Sequence, residues 1–113
     1  MPSLRKVTTA LAAGASSPNL LADSKFAYLP GPCAVVVYAA ADAAGVKLDL
    51  TLGNVIDTDD FDVAVRAATV GPNRSDDLAA RGIGVGGDLV TVRVQNTGAA
   101  PTNIRTLIDI LPL

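Results

Sequence analysis

The side chains in this chain best equipped for chemistry are aspartates. Asp57, Asp59, Asp60 and Asp62 fall within six residues of one another. Hard cations such as calcium take several oxygen ligands at once, so a run this dense is where a calcium site would be sought. An EF-hand loop starting at Asp57 would need glycine at its sixth position and glutamate at its twelfth; Asp62 and Ala68 stand there instead. Calcium would therefore need a neighbouring subunit to complete its shell, with Asp76 and Asp77 as further contributors. The plainer reading is a solvated acidic loop. Paired aspartates also serve as acid and base in glycosidases, but sugar clefts need aromatic platforms. The chain offers only Phe26, Tyr28, Tyr38 and Phe61, and it has no tryptophan.

Three further features are weaker. Gly82, Gly84 and Gly87 fit a dinucleotide-binding spacing, but that motif requires a helix N-terminus after it to receive the pyrophosphate. Here it runs into the strand pattern of residues 89–95, which makes it a loop feeding a strand. Cys33, the single cysteine, follows Pro32 and opens a valine-rich run; a lone cysteine in that setting is a small hydrophobe. The chain has no histidine, which removes imidazole bases and ligands altogether. The expectation is a protein that is not an enzyme and has no cofactor, apart from the calcium candidates.

The elements that would position these residues are strands. All eleven acidic residues are aspartate, which favours caps and turns over helix interiors. The many valines, threonines and isoleucines add β-branched weight, and ten glycines with seven prolines supply turns. Residues 46–52 alternate cleanly: Val46, Leu48, Leu50 and Leu52 inward, Lys47, Asp49 and Thr51 outward. Residues 33–41 are continuously apolar and read as a strand buried on both faces. The turn at 42–45 is short, so these two strands are expected to pair antiparallel. Residues 4–12 are a first strand or extended arm, 25–29 a short strand, and 61–66 a weaker one. Residues 71–88 look irregular, with one helical turn near Asp76 or Asp77. Residues 89–95 and 103–111 read as a closing hairpin, with Ile104, Ile108 and Ile110 on one face and Leu107 and Leu111 on the other.

The sum is an all-β chain with little helix: a single domain over 1–113, with 1–18 as arm or first strand. About seven strands at this spacing predict a small antiparallel β-sandwich, jelly-roll-like or related. The longest apolar run, 33–41, is too short to cross a bilayer as a helix. Arg5 and Lys6 ahead of a small-residue stretch faintly match a secretory leader, but the apolar core between them and Ala15 is short and carries two threonines. A net charge of −2 has the wrong sign for a nucleic-acid binder, so contact with nucleic acid is not expected.

Apolar supply exceeds what one small sandwich hides, because a lone sandwich wets one face of each sheet. The surplus points to contact with other copies of the chain, with Leu107 and Leu111 as self-contact residues and Arg5 and Lys6 on the arm. The stretches 7–15, 19–30 and 87–97, with the hydrophobic close ending Leu111-Pro112-Leu113, resemble the small all-β virion proteins of tailless icosahedral bacteriophages. That resemblance implies a virion location and a self-assembling capsid, minor capsid or spike-base subunit. Its partners would be copies of itself and other virion proteins. The alternative is a monomeric secreted or surface binding module with an immunoglobulin-like sandwich.

Overall fold

The computed structural model describes residues 3–22, 27–66, 72 and 77–112, with the side chains of Lys6 and of residues 57–60 outside it. It is a two-sheet β-sandwich with no helix among the described residues. The strands are β1 (Ser3–Leu11), β2 (Cys33–Ala41), β3 (Val46–Leu52), β4 (Val55–Asp62), β5 (Ala64–Val65), β6 (Leu78–Gly84), β7 (Val90–Asn96) and β8 (Thr102–Pro112). The larger sheet runs β1-β8-β2, with β6 and the two-residue β5 both beside β2; the smaller runs β4-β3-β7. Every pairing is antiparallel except that of β5 with Ala40 and Ala41.

The core lies where the alternation of β3 placed it. Val46, Leu48, Leu50 and Leu52 are buried, and they face Val35, Val37, Ala39 and Ala41 of β2 and Ile104, Ile108 and Ile110 of β8 in one cluster. Val90, Val92 and Val94 of β7 complete it. Burying each valine, leucine and isoleucine of this set stabilises the fold by about 1.5–3 kcal/mol relative to exposure.

Connectivity differs from the expectation at both tight links. β2 and β3 do not pair. The 42–45 turn arches from one sheet to the other, so their apolar faces meet across the core instead of side by side. β7 and β8 likewise sit in different sheets, and 97–101 crosses between them rather than closing a hairpin. Alternation fixes which face of a strand is buried, but facing partners and paired neighbours present the same pattern. The two crossings interlock: the Thr97 N–H and hydroxyl both donate to the Gly45 carbonyl, at 2.8 and 2.6 Å. Gly45 sits at φ 95°, and a Cβ there would lie 3.0 Å from the Gly98 nitrogen, so only glycine fits.

Two segments read as loop are strand. The aspartate run is the body of β4, because β3 needs a ladder partner on that side; β4 accommodates the mismatch with two bulges, each adding one residue opposite β3. Residues 78–84, where a helical turn or irregular chain was expected, form β6 against β2. Its inward residues are Ala80, Gly82 and Gly84, while Arg81 and Ile83 point out. This is a strand alternation with small residues inside, which an apolar-periodicity reading does not register. Gly84 makes room for Leu29, whose Cδ1 would be 2.5 Å from a Cβ there.

The free side of β7 is covered without a regular strand. Gly14, Ser17 and Leu20 donate backbone N–H groups to Asn96, Val94 and Val92, and Val90 and Asn96 donate back to Ala27 and Ala15. The Ser17 hydroxyl accepts from the Val94 N–H at 3.1 Å, and Asn19 Oδ1 from the Val92 N–H at 3.0 Å. Of the expected 25–29 strand, residues 25 and 26 lie outside the described residues; Tyr28 makes an antiparallel bridge to Leu89. With this segment counted as a strand, first pairs with last, second with second-last, and so inward: β1 with β8, the segment with β7, β2 with β6, β3 with β4. An immunoglobulin-like sandwich instead places its first two strands side by side, so that arrangement is excluded.

β1 ends in a bulge at Thr8–Leu11, where Ala10 takes φ 49° and its N–H donates to Asn103 Oδ1 at 2.7 Å. A Cβ in the left-handed region is strained. Ala10→Gly is therefore expected to stabilise the protein by roughly 0.5–1 kcal/mol after the glycine entropy cost, raising the melting temperature by about 2–4 °C.

Candidate functional site

The two outer sheet surfaces differ in chemistry. The smaller sheet presents Lys47, Asp49 and Thr51 from β3 and Thr91, Arg93 and Gln95 from β7, a wet polar face. The larger sheet presents rows set by its register. Arg5, Leu107, Tyr38 and Leu78 form one row; Ser3, Asp109, Val36 and Arg81 the next; Leu111, Ala34 and Ile83 a third. Its middle is mostly apolar but includes Asp109 and Arg105 of β8, the latter ion-paired with Asp42, and its margins carry Arg5 and Arg81.

That middle is already covered within one chain. Leu107 is 1% exposed, and Ala34, Val36 and Ala40 are buried as well. In the register the longer Arg5 and Tyr38 stand on either side of Leu107. Two-faced apolarity in β2 and β8 therefore does not by itself leave area for a second copy. Leu107 offers no surface of its own, and Leu111 is half-buried. The Ser3 hydroxyl donates to Asp109 Oδ1 at 2.6 Å, tying β1 to the buried carboxylate of β8.

Exposed apolar side chains lie elsewhere. Val7 on β1, Ile56 on β4 and Ile83 on β6 are each about two-thirds exposed, with Val85 close behind and Leu78 about half exposed. Sequence reasoning passed over these positions, and the small-in, large-out alternation of 80–85 was the available signal. Tyr28, Val55 and Leu89 are also exposed, where the β3–β4 and β6–β7 links come together through the Gly53 N–H donating to the Leu89 carbonyl at 3.0 Å.

The aspartates separate. Asp62 is exposed and ion-paired with Lys47 of the adjacent strand. Asp57, Asp59 and Asp60 occupy positions in β4, but their side chains lie outside the described residues, as does Asp76. Asp77 is buried and bridges Arg66 at 2.7 Å, holding the start of β6 beside the end of β5. Arg5 is exposed at the sheet margin; Lys6 follows it, paired with Thr106, its side chain outside the described residues. Cys33 is buried at the head of β2. Among the described residues no cluster of metal-ligating side chains and no pocket is present, and no helix is long and apolar enough to cross a membrane.

What distinguishes this molecule is surface, spread over sheet margins. One solved structure similar to it is the acidic stable capsid structure of Helicobacter pylori bacteriophage KHP30. The two share 10% sequence identity at a TM-score of 0.44, over 99% of this chain and 88% of that one. Likeness at that level carries no weight on function. No protein-family model and no curated protein matches the chain.

Proposed function

We propose that this chain is a self-assembling structural subunit of a bacteriophage virion, in a capsid, minor capsid or spike-base position. The observation that carries the reading is where the exposed apolar side chains sit. Val7, Ile56, Leu78 and Ile83 lie on strands β1, β4 and β6 at the margins of the sheets, where neighbouring copies would meet, and among the described residues none of them lines a pocket. Contact surfaces of that kind serve association rather than small-molecule chemistry. The inward-nesting order of strand pairs supports it: eight strands wound this way form a jelly roll, an architecture shared by capsid proteins and lectins. The phage setting rests on the sequence resemblance of residues 7–15, 19–30 and 87–97.

Light scattering over a concentration series tests the proposal. The wild-type chain is expected to form oligomers of defined size. Ile83→Asp, at a side chain 65% exposed, is expected to keep its melting temperature and weaken association by about tenfold. A wild-type chain that stays monomeric at about millimolar concentration would end the reading.

A further inference from the structure

We infer that the chain associates head to tail, the β1 margin of one copy against the β4 margin of the next. The inference rests on the self-assembly reading and adds its polarity.

Three observations select these margins. First, they lie on opposite sides of the sandwich. β1 ends the larger sheet at one side; β6 flanks β2 at the other, and β4 of the smaller sheet packs against β6. Second, at the β1 side the smaller sheet is closed by the chain's own Gly14–Leu20 stretch bonding along β7. No described strand pairs with the outer edge of β1, so β1 is the edge presented there. Third, the two margins are complementary in charge. β1 carries Arg5 and Lys6 and no acidic residue; β4 carries Asp57, Asp59, Asp60 and Asp62 and no basic one. Each margin also presents apolar side chains, Val7 on one and Ile56 and Phe61 on the other.

The same charges reject the symmetric alternatives. Two β1 edges brought together about a twofold axis would join strands that each carry Arg5 and Lys6, and two β4 edges would join strands that each carry Asp57, Asp59 and Asp60 in addition to the Lys47-paired Asp62. Like charges across an interface disfavour that pairing. The two bulges in β4 also twist its edge away from ladder pairing, so the contact is one of side chains, not a continued sheet. Heterologous contact of this kind closes into rings or shells when the rotation between copies allows.

Charge-swap complementation tests it. Arg5→Asp with Lys6→Asp makes both margins of a copy acidic; Asp57→Lys with Asp59→Lys and Asp60→Lys makes its β4 margin predominantly basic, like its β1 margin, with Asp62 the one carboxylate left on that strand. Each variant alone is expected to associate at least about tenfold more weakly than wild type, with an unchanged circular dichroism spectrum and melting profile. An equimolar mixture is expected to regain assemblies of wild-type size. Wild-type assembly is also expected to weaken as salt rises from about 0.1 to about 1 M, where the screening length falls from about 10 to about 3 Å. If a variant unfolds, the salt series on wild type decides: assembly indifferent to salt overturns the inference. Wild-type-like assembly by either folded variant, or a mixture that fails to recover, overturns it as well while leaving self-assembly standing. A wild type that never assembles removes both.

Discussion

Leu50→Ala will cost the protein about 3–4 kcal/mol and leave it close to unfolding at physiological temperature. Leu50 is fully buried at the centre of the smaller sheet, between Thr58 on β4 and Val92 on β7 in the register. Truncation removes the transfer energy of its lost atoms and leaves a cavity that flanking strands can only partly close, which places such changes in the range of about 2–5 kcal/mol. Domains have only about 5–15 kcal/mol in total, and a short one sits toward the lower end. In urea the midpoint should fall by about 2 M, taking a slope of roughly 1–2 kcal/mol per molar. Thr51→Ala, one residue along on the opposite face, should stay within about 0.5 kcal/mol of wild type. Equal losses at the two positions would contradict the facing of β3.

Asn19→Ala is expected to cost about 2–4 kcal/mol from a residue outside any strand. The Asn19 amide nitrogen donates to the Val90 carbonyl at 2.9 Å, while its oxygen accepts from the N–H groups of Val92 and Leu21 at 3.0 and 3.2 Å. Alanine leaves backbone groups of β7 without partners beside a buried strand, at about 1–3 kcal/mol for each group that water cannot reach. Hydrogen exchange reads this directly: the Val92 amide should lose protection by about tenfold or more, while the Leu50 amide changes only with global stability. The exposed edge should also raise aggregation on heating, since an uncovered strand recruits other strands. Undiminished protection at Val92 would show that the backbone contact from Leu20 to the Val92 carbonyl holds the segment by itself. Asn19→Asp keeps the acceptor and loses the donor, so its cost should fall between wild type and alanine.

These two residues mark what local sequence can reveal. The role of Leu50 is written in the alternation of 46–52, because one polar and one apolar face is a property of the strand itself. The role of Asn19 is not, because an asparagine after Ser17-Pro18 reads as a turn whether or not a strand edge lies beside it. Residues 78–84 show the same limit from the other side. Their inward positions are glycine and alanine, so the strand appears only once β2 and Leu29 are in place to demand small neighbours.

By itself the sequence determined the fold class, the inward face of β3, β7 and β8, the doubly buried β2, and the absence of histidine chemistry. Those follow from residue type and a two-residue period, which act over neighbouring positions. Only the tertiary structure decided that β2 and β3 face each other across the core, that the aspartate run is an edge strand, and that Leu107 is covered within its own chain. Each of these depends on which distant segments pair, and hydrogen-bonded neighbours and facing partners leave the same mark on a strand's own residues.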